Sequence, residues 1–165
     1  MPAPYVGHCL CGKVRYRVTG EPLAFYACHC TDCQRRTGSA FALSMIVRRE
    51  DVELLSGDPG SYEAVLADGR RKAGRLCVAC GTRLWGDSRK SGFLVVQPGT
   101  LVQPSGLEPV AHIWMCEAQP WFMPKAGARL YERQPEQPGE LATLWKEAHT
   151  RSLETGGLSS PSPPA

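Results

Sequence analysis

A small, mainly β domain clipped together by metal is what this sequence predicts, on three observations. Residues 13–18 alternate Val14, Tyr16 and Val18 against Lys13, Arg15 and Arg17, the period-two pattern of a half-buried strand. Further short apolar runs are separated by Gly, Pro, Ser and Asp turn signals. Seven of the eight cysteines fall in three tight groups, spaced like metal ligands.

The first strand is that of residues 13–18. Residues 31–37 follow as one or two helical turns, with Thr31 able to cap and Asp32 favourably placed in the first turn. Residues 41–47, 52–55, 61–65, 93–96 and 109–114 read as further strands, punctuated by turns such as Ser56-Gly57-Asp58-Pro59-Gly60. Beyond Trp121 the chain is rich in Pro and Gly. Residues 134–139 form a break, and 140–149 a short helix, exposed or docked. The expected organisation is one zinc-binding domain over 1–133, the break and helix over 134–155, and a disordered tail over 156–165, which has nothing to bury.

At 165 residues and 42% hydrophobic the chain can bury a sizeable core, so folding need not depend wholly on metal. Its 19 basic and 16 acidic residues leave a net charge of +3, scattered along the chain, which argues against nucleic acid as a partner. No apolar run is long enough to span a bilayer, and residues 1–7 lack a basic start and an apolar signal core, so a cytoplasmic location is expected. Thiols stay reduced there, which favours metal ligands or catalytic groups over disulfides.

The cysteine groups are Cys9-Leu10-Cys11, Cys28-His29-Cys30-Thr31-Asp32-Cys33 and Cys77-Val78-Ala79-Cys80-Gly81. A closed tetrahedral Zn²⁺ site needs two pairs of thiolates, and Cys9/Cys11 with Cys77/Cys80 supply them. Gly81 permits the left-handed turn of a Cys-x-x-Cys-Gly knuckle. The middle group offers three thiolates and no evident fourth protein ligand, and an open position marks a catalytic zinc. His29 lies between Cys28 and Cys30 and is expected to face away from the metal, as a group behind the ligands. The alternative is a second structural site completed by His29 or by water. Three thiolates on Zn²⁺ leave a charge of −1, a poor activator of water but a good holder of a further thiolate. A small thiol is therefore the expected substrate or cosubstrate.

Gly7-His8-Cys9-Leu10-Cys11-Gly12-Lys13-Val14-Arg15-Tyr16, Cys28-His29-Cys30 through Cys33-Gln34-Arg35 to Gly38-Ser39, and Cys77-Val78-Ala79-Cys80-Gly81-Thr82 together resemble the glutathione-dependent formaldehyde-activating enzyme family, which includes proteins similar to centromere protein V. The resemblance runs from about Gly7 to Trp121, taking in His112-Ile113-Trp114 and Gln119-Pro120-Trp121. It implies a β-tent of two antiparallel sheets, with short helical turns and two zinc ions per chain. Cys9, Cys11, Cys77 and Cys80 would hold the structural zinc, and Cys28, Cys30 and Cys33 the catalytic one. The implied activity joins glutathione and formaldehyde to S-hydroxymethylglutathione, a carbon–sulfur lyase reaction in reverse. In that reading Arg35 or Arg36 could pair with a glutathione carboxylate, against the plainer reading of surface arginines on a short helix.

His112 is either a proton donor near the site or, preferably, a core or second-layer histidine. Cys116, the unpaired eighth cysteine, is expected to be a free thiol, and Trp85, Trp114 and Trp121 to line core or pocket. A non-enzymatic zinc module binding protein or nucleic acid is the competing function. Two other zinc or thiol enzymes fail on motif. A nucleobase deaminase wants a catalytic Glu two residues past a ligand and a Pro before the second pair, where this chain has Cys30 and Leu76. A methionine sulfoxide reductase of the B type wants Arg-x-Cys-x-Asn, where this chain has Trp114-Met115-Cys116-Glu117-Ala118.

Overall fold

The structure, a computed structural model, describes residues 3–87 and 91–154. The expected tail over 156–165 lies outside the described residues. In chain order the elements are β1 (Tyr5–His8), β2 (Arg15–Val18), β3 (Ala24–Cys28), α1 (Thr31–Thr37), β4 (Ala42–Arg48), β5 (Val52–Ser56), β6 (Gly60–Val65), β7 (Arg71–Leu76), β8 (Arg83–Asp87), β9 (Phe93–Val96), β10 (Ala111–Ile113), β11 (Arg129–Leu130) and α2 (Glu140–Glu154). Three-residue 3-10 turns lie at Arg49–Asp51, Pro98–Thr100 and Met115–Glu117. The mainly β class is as expected. No helix among the described residues is long and apolar enough to cross a membrane.

The chain divides into two compact units. The described residues of the first fall within Met1–Leu23 and Leu43–Pro104, and those of the second within Ala24–Ala42 and Ser105–Ala165.

In the first unit β2 pairs antiparallel with both β1 and β5, and β4, β9, β8, β7 and β6 follow one another in a second antiparallel ladder. Alternation on β2 does what the sequence requires, since Tyr16 and Val18 are fully buried. Tyr16 meets Trp85 edge-on at 5.3 Å, and its hydroxyl lies 2.6 Å from the Thr100 hydroxyl. Gly7 faces Tyr16 across the ladder, where any Cβ would sit 2.4 Å from the ring, so no other residue fits there. Met45, Val47, Leu84 and Val96 complete this core. Val14 and Lys13, expected within the strand, belong to the turn before it, although Val14 is buried.

In the second unit β10 lies between β3 and β11, and both pairings are parallel, with Ile113 opposite Cys28 and Ala111 opposite Arg129. This corrects the expectation of antiparallel sheets throughout. Parallel neighbours need long connections, and β3 and β10 are far apart in the chain. Helix α2 packs on β3. Leu141, Leu144, Trp145 and Ala148 fall at the 3–4 spacing of one helix face, with Trp145 buried. Its indole stands edge-on to Phe25 at 6.0 Å and stacks with His149 at 5.8 Å. The expected helix is thus docked, and it runs on to Glu154. Trp145→Ala is expected to cost about 3 kcal/mol or more, read as a lowered urea midpoint with an unchanged slope.

Candidate metal centres

The first cluster is built from two turns. Cys9 and Cys11 lie between β1 and β2, and Cys77 and Cys80 between β7 and β8. Each turn is closed by its own backbone: Cys9 N–H donates to Val14 O at 3.0 Å and Gly12 N–H to Cys9 O at 2.9 Å. In the other turn, Cys77 N–H donates to Thr82 O at 2.9 Å and Gly81 N–H to Cys77 O at 2.8 Å. Gly12 and Gly81 take φ of 73° and 72°, the left-handed backbone that a side chain disfavours. All four sulfurs lie within 4.8 Å of one another. Cys9 and Cys11 Sγ are 3.5 Å apart, and Cys11 and Cys77 Sγ 3.7 Å. Four sulfurs about 2.3 Å from a tetrahedral zinc would be separated by about 3.8 Å, so the donors fit that ion and are too distant for disulfides.

Hydrogen bonds aimed at the sulfurs favour the thiolate form. Val14 N–H donates to Cys9 Sγ at 3.3 Å. The Thr82 hydroxyl stands 3.1 Å from Cys80 Sγ and accepts Leu10 N–H at 3.0 Å, tying the two turns together. With backbone N–H groups it holds the Cys80 thiol down at about 5.

The second cluster forms where a strand turns into a helix. Cys28 ends β3, Cys30 is the N-cap of α1 and Cys33 lies in its first turn, and the three sulfurs are within 4.8 Å of one another. Three thiols so close cannot all ionise without a cation. The Cys28–Cys33 contact lowers Cys33 to about 5, helped by Arg36, and together with burial drives Cys28 strongly upward. Arg36 Nη2 is 3.6 Å from Cys33 Sγ, whereas Arg35 is exposed on α1.

Thr31 is the first helical residue and not the cap, contrary to expectation, because Cys30 takes the cap position. Thr31 N–H donates instead to Glu117 Oε2 at 2.6 Å, and its hydroxyl donates to the same oxygen. These two donors hold the Glu117 carboxyl below the usual carboxylate range.

His29 is fully buried and is not part of the sulfur group. Its Nε2 is 3.0 Å from His112 Nδ1, and Phe41, His112 and Phe122 surround its ring at centroid distances of 5.0, 5.2 and 4.5 Å. Burial first, and His112 second, push His29 down to about 4, and burial also lowers His112. Both rings are therefore neutral near pH 7, one donating to the other. His29 Nδ1 has no hydrogen-bond partner among the described residues.

Of the expected aromatic walls, Trp85 is core and Trp114 half-buried. Trp121 is not core, being 68% exposed, while Phe122 beside it packs against His29. Trp114 has φ of 60°, an unusual strain for a bulky residue. The Arg133 guanidinium lies 5.5 Å from its ring centre, and Trp114 N–H donates to Arg133 O at 3.1 Å. Cys116 is a free, exposed thiol. Sequence reasoning missed Thr82, Glu117, Gln34 and Phe122, and only Thr82 and Gln34 carried a signal, each standing next to a cysteine motif.

No curated protein matches the chain. Among solved structures it is similar to a Rhodobacter sphaeroides protein, a structural-genomics target, at 23% identity and a TM-score of 0.46, covering 63% of this chain and 91% of that one. The family model described as glutathione-dependent formaldehyde-activating enzyme matches residues 4–117, a span holding all seven clustered cysteines. The chain belongs to that family.

Proposed function

We propose that the protein is a zinc-dependent carbon–sulfur lyase-type enzyme that handles a small thiol adduct, with glutathione and formaldehyde as the substrates the family suggests. The observation that supports this most is the second cluster, three convergent sulfurs with no fourth ligand in their group among the described residues. In this reading Cys9, Cys11, Cys77 and Cys80 hold a structural zinc, and Cys28, Cys30 and Cys33 a catalytic one. A zinc ion held by Cys28, Cys30 and Cys33 would keep a substrate thiol ionised.

The chain's own groups do the rest. Cys28, Cys30 and Cys33 fix where the substrate sulfur sits. Arg36, beside Cys33, and Arg35 on the same helix offer guanidinium forks to the tripeptide's carboxylates. His29, which lies between Cys28 and Cys30 in the chain, is buried against His112, Phe41 and Phe122. In the addition a carbon–sulfur bond forms as the carbonyl π bond breaks, and the proton lost by the thiol ends on the new hydroxyl. That all eight cysteines are free suits a cytoplasmic setting.

Metal mass spectrometry before and after dialysis against millimolar glutathione tests the reading. The expected result is two zinc ions per chain, one of which responds to the thiol, together with faster exchange between formaldehyde and S-hydroxymethylglutathione by NMR. A single zinc that never responds would replace the enzyme with a binding module.

A further inference from the structure

The helix that carries Cys33 begins with a cysteine at the cap position. Cys30, with φ −60° and ψ 147°, has the backbone of an N-cap, and its sulfur, which faces the Cys33 N–H, joins the cluster. A helix start leaves N–H groups that need acceptors, and the usual Ser, Thr, Asp or Asn is absent from this position. A candidate ligand stands where a cap oxygen usually does.

One acceptor comes from far along the chain. Glu117 Oε2 takes Thr31 N–H at 2.6 Å, one residue past Cys30, and also takes the Thr31 hydroxyl. The same turn grips the loop at a second point. Gln34 Nε2 donates to His29 O at 2.6 Å and to Glu117 O at 2.8 Å, and Gln119 Nε2 donates to Gln34 Oε1 at 2.6 Å. Residues 29, 31 and 34, which interleave with the three cysteines, are thus all bonded into one strap. Glu117 itself is placed by the 3-10 turn that follows the strained Trp114, whose end is closed by Glu117 N–H donating to Trp114 O at 3.1 Å.

We propose that Glu117 is a positioning residue for the Cys28–Cys30–Cys33 metal site: it accepts the N–H and the hydroxyl of Thr31, the first helical residue after Cys30, and so holds the three sulfurs in ligating geometry. Groups one layer behind metal ligands typically control affinity by roughly 10- to 100-fold. An ordinary cap would act on the whole fold. A positioning residue acts on one cluster, and the first cluster is an internal reference within the same molecule. The proposal rests on the second cluster being a metal site and is independent of what substrate it takes.

The test is competition for zinc with a chromophoric chelator, without glutathione or formaldehyde, on the full chain. Glu117→Ala is expected to weaken the second cluster by roughly 10- to 100-fold and to leave the first unchanged. Glu117→Gln, which keeps an acceptor oxygen, should recover most of the loss. Unchanged second-cluster affinity, or equal weakening at both clusters, overturns the proposal. Amide hydrogen exchange on the as-isolated protein reads the same strap without relying on metal content. Glu117→Ala should speed exchange at Thr31 and its helical neighbours, and unchanged protection there also overturns it. Loss of the lyase reading alone would appear as a Glu117-dependent metal site with no response to the thiol.

Discussion

Replacing Cys77 with serine is expected to remove the metal of the first cluster and to leave the chain largely unfolded or molten at ambient temperature. Cys77 is 2% exposed, and its N–H and carbonyl close the turn that carries Cys80. The four cysteines bring the β1–β2 turn to the β7–β8 turn, which are far apart in sequence, so a metal held there would close a long loop. Structural zinc contributes on the order of 10 kcal/mol or more, against a total domain stability of about 5–15 kcal/mol. Serine is a poorer zinc ligand and would leave a buried hydroxyl as well. Thermal melting by circular dichroism, together with zinc per chain, checks this. A variant that melts like the parent with one metal fewer would show that the core of Tyr16, Trp85, Met45 and Leu84 holds the unit unaided.

Cys33→Ala should act in the opposite way, sparing the fold and abolishing the chemistry. Cys33 is half-buried on a short helix, so its loss removes little packing. Two sulfurs would remain where three converge, and the second metal should be lost while the first stays. A free thiol with a pKa of about 8.5 is only a few per cent ionised at pH 7, and a positioned nucleophile gains several further powers of ten from proximity. The expected fall in formaldehyde–thiol exchange is at least about 100-fold, measured by NMR with circular dichroism unchanged and one zinc retained per chain. Full activity in this variant would remove the second cluster from the mechanism.

The cysteine clusters were legible because ligand spacing is local and coded by residue type. Cys77-Val78-Ala79-Cys80-Gly81 forms its turn with the glycine in the left-handed region, as the sequence alone implies. The alternating β2 and the apolar β4 and β9 were legible for similar reasons. β3 was not, because Ala24, Phe25, Ala27 and Cys28 are all buried and show no alternation. β7 was hidden by its composition, Arg-Lys-Ala-Gly-Arg-Leu, and is a strand because it is bonded on both sides by β6 and β8. Glu117 acts on Thr31 across 86 residues, a pairing that no local pattern encodes. Trp121 and Phe122 show the limit at one-residue scale: adjacent aromatics in a loop face opposite ways, and the sequence does not say which is inside.

β11 spans two exposed residues, Arg129 and Leu130, and it terminates the parallel ladder of the second unit. Its brevity matters beyond this one molecule. A sheet margin is a template on which another chain can add, and the risk rises with the length of the unpaired, flat run. Here Tyr131 N–H donates to His112 O, Met115 N–H to Tyr131 O and Trp114 N–H to Arg133 O, so the chain that follows the margin keeps bonding back to its own turn. Two residues, one of them a cation, offer a stranger too short a register to recruit at this margin.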